Sequence, residues 1–277
     1  VSTTLYVIGD VHGFWDEADQ AFLESQPEAT AVFVGDFGEE DVALVARIAA
    51  VRSPKAIHFG NHDAWYAMRG RGTRERVMRQ LALAGEDFLG YRALLAAGGE
   101  VALVGARPFS WGGPWLDRRF YEEMFDVRSH ETSASRIVAA AESVAAEIPL
   151  VLVGHNGPRG VGGGPDALWG RDFELPAVDW GDPDQEQALA RLRAAGRQVV
   201  ACIGGHMHEA LRGAFGLRRR LAEIDGTTFI NAAVVPRHKR GLRHFVRVRI
   251  AEGVTAEDIW VSEEGDVVQE TLLNDER

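Results

Sequence analysis

"HFGNHDAW", residues 58–65, sets Asn61, His62 and Asp63 side by side where the apolar run "KAIHF" stops. A carbonyl donor, an imidazole and a carboxylate follow one another without helical or strand periodicity. Such a cluster matters only if other runs in the chain end the same way.

They do. "TLYVIGD" (4–10), "AVFVGD" (31–36), "KAIHFGN" (55–61), "EVALVGA" (100–106), "LVLVGHN" (150–156) and "QVVACIGGH" (198–206) are short and rich in Val, Ile, Leu and Phe. Each reads as a buried strand. The spacing predicts helices over about 15–25, 40–51, 73–84, 133–147 and 184–196. "DPDQEQALARLRAAG" shows the signals, with acids in the first turn and Gly196 as the stop. Strand–helix alternation predicts an α/β core with largely parallel pairing. After residue 208, "RRRLAEI", "TTFINAAVV", "LRHFVRVRI" and "EDIWVSEEGDVVQE" predict an additional, more antiparallel sheet. No linker separates the two parts, so residues 1–277 read as one domain. Two stretches break the alternation: an aromatic insertion at about 107–132 and a glycine-rich one at 157–183. Long loops inside a compact domain are usually functional or disordered.

The strand ends carry the chemistry. The first closes on Asp10 and His12, the second on Asp36, and the third on Asn61, His62 and Asp63. His155 closes the fifth, and His206 and His208 close the sixth. Five of the nine histidines lie there. In an open α/β sheet, ligands bind in the crevice outside these ends. Oxygen and imidazole donors without thiolates suit Mn, Fe or Zn and disfavour Cu(I) or an iron–sulfur cluster. There are too many donors for one tetrahedral ion and about enough for two sharing a carboxylate. Gly9, Gly35, Gly60, Gly154 and Gly205 are expected to let the backbone turn so that the donors face one site.

Asp-x-His, Gly-Asp, Gly-Asn-His-Asp, Gly-His and Gly-His-x-His, in this order across 10–208, resemble the calcineurin-like metallophosphoesterase superfamily. The resemblance implies a four-layer α-β-β-α sandwich of two mixed sheets, with a dimetal site at the C-terminal strand ends. It implies two divalent ions, Mn foremost with Fe or Zn as alternatives. Asp10, His12 and His208 would hold one, and Asn61, His155 and His206 the other, with Asp36 bridging. A metal-activated hydroxide would attack phosphorus in line. His62 would serve as general acid, with Asp63 orienting its ring. The second motif departs from some members by reading "GDFGEED", which leaves any role of Glu39 or Glu40 open.

Trp65 and Tyr66 are expected to line the pocket or to pack beneath the loop. Trp111, Trp115, Trp169 and Trp180 raise the same question if the insertions cap the site. Arg107, Arg118, Arg159 and Arg171 are candidate phosphate clamps. His58 reads as a core histidine, His130, His238 and His244 as surface ones, and Cys202 as inert packing.

The composition, 46% hydrophobic and 26% charged, is that of a soluble globular protein. No stretch approaches the roughly 20 apolar residues of a membrane span. The absence of a signal-like start and the single Cys202 lead us to expect a cytoplasmic protein. A net charge of −11 argues against coating nucleic acid by bulk field. Residues 212–249, however, hold ten Lys/Arg against Glu223 and Asp225. That stripe is expected to hold an anion, pair with acidic neighbours or form a subunit contact. It keeps a nuclease in view, although a small phosphomonoester or phosphodiester is favoured. A non-catalytic metal-binding scaffold would need neither His62 nor Asp63. The oligomeric state is not legible.

Overall fold

The computed structural model describes residues 2–70, 73–212 and 216–274. The first half runs β1 (Thr3–Ile8), α1 (Glu17–Glu24), β2 (Thr30–Phe33), α2 (Val42–Ala49) and β3 (Lys55–Ile57). A 3₁₀ turn (Asn61–Ala64), α3 (Trp65–Met68), α4 (Glu75–Ala84), β4 (Ala93–Leu95) and β5 (Ala102–Gly105) follow. Next come α5 (Arg118–Phe125), α6 (His130–Glu142), β6 (Leu150–Val153), α7 (Pro183–Ala194) and β7 (Val199–Gly204). The chain ends in β8 (Leu221–Ile224), β9 (Thr227–Asn231), β10 (His238–Lys239), β11 (Leu242–Ile250), β12 (Val254–Val261) and β13 (Val267–Leu272).

These strands form two mixed sheets. One has the order β13-β12-β11-β1-β2-β3, with β10 on β11, and the other β4-β5-β6-β7-β9-β8. β1, β2 and β3 run parallel, as do β5, β6, β7 and β9. The late strands therefore do not build a sheet of their own, contrary to the sequence expectation. β11 pairs antiparallel with β1 from Thr3↔Ile250 to Val7↔Val246, and β9 extends the other sheet beside β7. An alternating pattern tells which face of a strand is buried but not which edge it will cover, and both β1 and β7 had an edge to satisfy.

The strand residues divide by parity between two cores. Leu5, Val7, Val32 and Val34 meet Val151, Val153, Ile203, Val246 and Val248 between the sheets. Tyr6, Ile8, Ala31, Phe33 and Ile57 belong to the core shared with the helices. Strands buried on both faces read as continuous apolar runs, which is why the pattern was so plain. On the outer face, Phe22 of α1 sits 5.2 Å from Tyr6 and 4.9 Å from Phe245, ring centre to ring centre. Burying one such ring contributes about 2 kcal/mol. Helix starts follow local chemistry: Asp16 and Asp19 form a reciprocal capping box for α1. Ser129 caps α6, so that helix begins ahead of the expected 133. α5, capped by Asp117, lies inside the aromatic insertion, where the sequence pattern predicts a long loop.

The basic stripe is largely consumed within the chain. Arg218 pairs with Asp172 (3.2 Å), Arg220 with Asp258 (2.7 Å), Arg237 with Asp19 (2.7 Å) and Arg243 with Asp16 (2.6 Å). Arg247 and Arg249 share Glu257, each at 2.7 Å. His244 is buried rather than on the surface, with Nε2 2.7 Å from Asp258 Oδ1, and burial pushes it down to about 4. His238 is half-buried against Asp19, and His130 is half-buried at the start of α6. His58 and Cys202 lie in the core as expected; burial pushes them to about 4 and about 12. Among the described residues no helix is long and apolar enough to cross a membrane.

Candidate metal centre

Parallel strands end on one side of their sheet, which gathers Asp10, Asp36 and Asn61 after β1, β2 and β3 and His155 and His206 after β6 and β7, and the packing of the two sheets brings these edges together. Asp10, His12 and His208 form one group, with His208 Nε2 3.2 Å from Asp10 Oδ2 and 3.3 Å from His12 Nε2. Asp36, His155 and His206 form another. There His155 Nε2 lies 3.3 Å from Asp36 Oδ1, 3.0 Å from Asn61 Oδ1 and 3.1 Å from His206 Nδ1. Asp36 also reaches toward the first group, with Oδ2 3.8 Å from His12 Nε2, and forms a further group with His12 and His62.

The local backbone aims these side chains. Asp10, His12, Asp36 and His206 have φ of 39°, 44°, 54° and 68°, a region L-residues seldom occupy. Such residues cost about 1 kcal/mol or more each and persist only when their surroundings enforce them. Here His12 N donates to Asp36 O (2.7 Å) and His206 N to Asp10 Oδ1 (3.1 Å), while Asn231 Nδ2 holds Met207 O (2.7 Å). The glycines act differently from expectation. Of the five singled out, Gly35 alone has positive φ (102°), and the others make room. A Cβ on Gly60 would lie 2.6 Å from Asp36 N and 2.7 Å from His155 Cε1.

Asp63 does not touch the His62 ring. Its oxygens accept from Gly60 N (2.8 Å), Asp36 N (2.9 Å) and Phe37 N (2.9 Å), so it braces the loop that carries Asp36. The His62 ring instead stacks on Trp65, centroids 4.5 Å apart at 16°, with His12 edge-on at 5.0 Å. His62 Nε2 lies 4.0 Å from Asp36 Oδ2. Glu40 is buried and accepts from Tyr66 N and Ala67 N at the start of α3, and Glu39 binds the Tyr66 hydroxyl (2.8 Å).

The electrostatics call for positive charge. Burial alone would raise Asp10 and Asp36, yet the neighbouring histidines outweigh it and hold both below the usual carboxylate range. At His155 burial works against protonation, but the Asp36 carboxylate overrides it and the ring is pushed up to about 10. Burial and His155 together push His206 down to about 3. Burial, with His12 and His155, lowers His62 against the pull of Asp36. His155 Nδ1 faces Val34 O at 2.8 Å, and a ring held protonated carries its second N–H on Nε2. That Nε2 proton points among Asn61 Oδ1 (3.0 Å) and Asp36 Oδ1 (3.3 Å), so a positive charge already sits where the donors converge, and buried Asp10 Oδ2 has no hydrogen-bond partner. A divalent cation in place of that proton would satisfy all of these groups, and the donor types fit Mn, Fe or Zn.

A cavity of about 670 Å³ opens above Asp36, Asn61, His62, His206 and His208. Its wall includes Trp65, but not Tyr66. Trp111, Pro114 and Trp115 of the first insertion and Phe173 and Trp180 of the second complete its aromatic lining. Trp169 is instead fully buried. None of the four expected phosphate clamps lines the cavity. Arg107 is buried between Asp182 (3.1 Å) and Asp184 (2.9 Å), Arg159 pairs with Glu186 (2.7 Å), and Arg171 pairs with Glu174 (2.9 Å). Arg118 is exposed at the start of α5. The arginines that do line the cavity are Arg69 and Arg212. Arg212 opens the basic stripe that the sequence marks as a possible anion site, whereas no pattern in the sequence announces Arg69.

Carboxylate, amide and imidazole donors gathered at the strand ends of a two-sheet sandwich define the metallophosphoesterase class. The chain belongs to the calcineurin-like phosphoesterase family, whose model matches residues 3–210. Its fold is similar to that of a dimetal phosphatase from Danio rerio, at 13% identity and a TM-score of 0.55, covering 98% of each chain. It is also similar to TT1561 of Thermus thermophilus, at 9% identity and a TM-score of 0.52, covering 99% of this chain and 100% of that one. At these identities the likeness is one of fold. None of the curated proteins compared with the chain matches it in sequence.

Proposed function

We propose that the protein hydrolyses a small phosphate ester with two divalent cations, Mn foremost. Asp10, His12 and His208 would hold one, Asn61, His155 and His206 the other, and Asp36 would bridge them. The observation that carries this reading is the Asp36 carboxylate, which turns Oδ1 toward His155 and Oδ2 toward His12. When bound, the cations supply charge to the phosphate oxygens and acidify water. The chain's own groups do the rest. His62 stands at the cavity floor, where an arriving phosphate raises its pKa and lets it give a proton to the leaving oxygen. Residues 1–277 act as one domain on this reading, and the insertions 107–132 and 157–183 cover the site. In support, Gly113 N donates to Trp180 O (2.6 Å) and Trp180 Nε1 to Trp111 O (3.0 Å). With the stripe at 212–249 largely occupied by carboxylates, a nuclease has less support.

With Mn added, a panel of a generic phosphomonoester, a phosphodiester, cyclic nucleotides and single-stranded DNA tests the reading. Small esters should be cleaved, and His62→Ala should lose roughly 10²–10⁴-fold in rate. Cleavage of the polynucleotide alone would overturn the small-substrate assignment.

Because Asp63 is spent on backbone donors, we assign orientation of the His62 ring to Trp65. Trp65→Ala should lower kcat about tenfold with little change in KM and shift the alkaline limb of the pH–rate profile, where a general acid loses its proton. Trp65→Phe should restore both. A pH profile unmoved in Trp65→Ala would assign the ring's orientation elsewhere.

A further inference from the structure

The cavity wall is far more aromatic than phosphate binding requires. From His62 a run of rings rises through Trp65, Trp111 (4.9 Å from Trp65) and Trp115 (5.3 Å from Trp111). The second insertion adds Phe173 and Trp180, 6.0 Å apart. Trp65 is already covered, by His62 and by the Arg69 guanidinium 3.6 Å from its ring centre. Trp115 and Phe173 are not, being 39% and 50% exposed at the same cavity. Large apolar side chains left open at a concave site are informative in a way that scattered ones are not. Arg69 and Arg212 line the cavity too, and among the described residues neither side chain makes an ion pair.

A phosphorylated polyol or amino-acid side chain would leave these rings in water. We propose that the organic part of the substrate is a flat aromatic ring system of nucleobase size, taken up between Trp115 and Phe173 while its phosphate lies on the metal ligands. A volume of about 670 Å³ suits one nucleotide-sized molecule. Arg69 and Arg212 add cations for its further negative charge. This inference names the substrate class of the hydrolysis proposed above, and its kinetic arm rests on that reading.

The test compares adenosine 5′-monophosphate with ribose 5-phosphate, and their methyl diesters, on the Mn-loaded full chain. The paired esters share the reacting alcohol and differ only in the base. Stacking on aromatic side chains predicts a kcat/KM preference of roughly 10- to 100-fold for the base-bearing ester. Trp115→Ala and Phe173→Ala should each drive that ratio toward one. Equal rates on the two esters in the unmodified protein would overturn the inference and leave phosphoesterase activity standing. Tryptophan fluorescence decides the matter independently of turnover. Quenching by adenosine 5′-monophosphate at concentrations where ribose 5-phosphate is silent supports the ring-binding site even if no ester is cleaved. Equal response to both overturns it.

Discussion

Asp36→Asn should lower phosphoesterase turnover at least about 10³-fold, a loss of roughly 4 kcal/mol in transition-state stabilisation. The substitution keeps size and shape and leaves one oxygen able to accept from His62 N, as Oδ1 does at 2.9 Å. On the proposed assignment it removes the negative charge that the two cations would share, and it turns an NH₂ toward the site in place of an anionic oxygen. Metal content should therefore fall along with rate, measured as bound Mn per chain after gel filtration. The fold should survive, because Asp36 is held through its backbone, with its N–H on Asp63 and its carbonyl on His12. His62→Ala provides the contrast, since on the proposed assignment it loses rate but keeps its metal. Unchanged turnover and metal content in Asp36→Asn would remove the bridging assignment.

Arg107→Ala should cost about 3–5 kcal/mol of stability, or roughly 10 °C in Tm. Arg107 is fully buried, and its guanidinium reaches Asp182 and Asp184, both equally buried. Burial pushes the Asp182 carboxyl up to about 6 even with Arg107 opposing it. Deleting the arginine leaves two carboxylates facing each other in a low dielectric, and they can relieve the repulsion only by binding protons. A carboxyl whose folded pKa lies above its unfolded value contributes stability below about pH 4 that is lost as pH rises through the folded value. The stability deficit of the variant should therefore be larger at pH 8 than at pH 5. The sequence expectation of a phosphate clamp predicts the reverse pattern, with stability unchanged and KM raised.

The difference between those two expectations shows what could be read from the chain alone. Short apolar runs, five of the six ending in a glycine and a donor, determined the α/β class and the strand ends that carry the donors. Parallel pairing gathers Asp10, Asp36 and Asn61 at one edge of the first sheet and His155 and His206 at one edge of the second, and only the stacking of the two sheets brings the two sets together. Partners lying far apart in the chain could not be read. Arg107 and Asp184 are separated by 77 positions, and neither has a local pattern announcing the other. The alternation within β8, β9 and β11 told which faces are buried but not which open edges they would close. The aim of Asp63 was equally hidden. A carboxylate beside a histidine can orient the ring or brace the loop, and only the packed backbone, with three N–H groups directed at it, decided for the loop. Local periodicity and strand-end composition determined the fold and where its chemistry lies. Long-range charge pairing and edge completion, which depend on distance in space rather than along the chain, were decided by the tertiary structure.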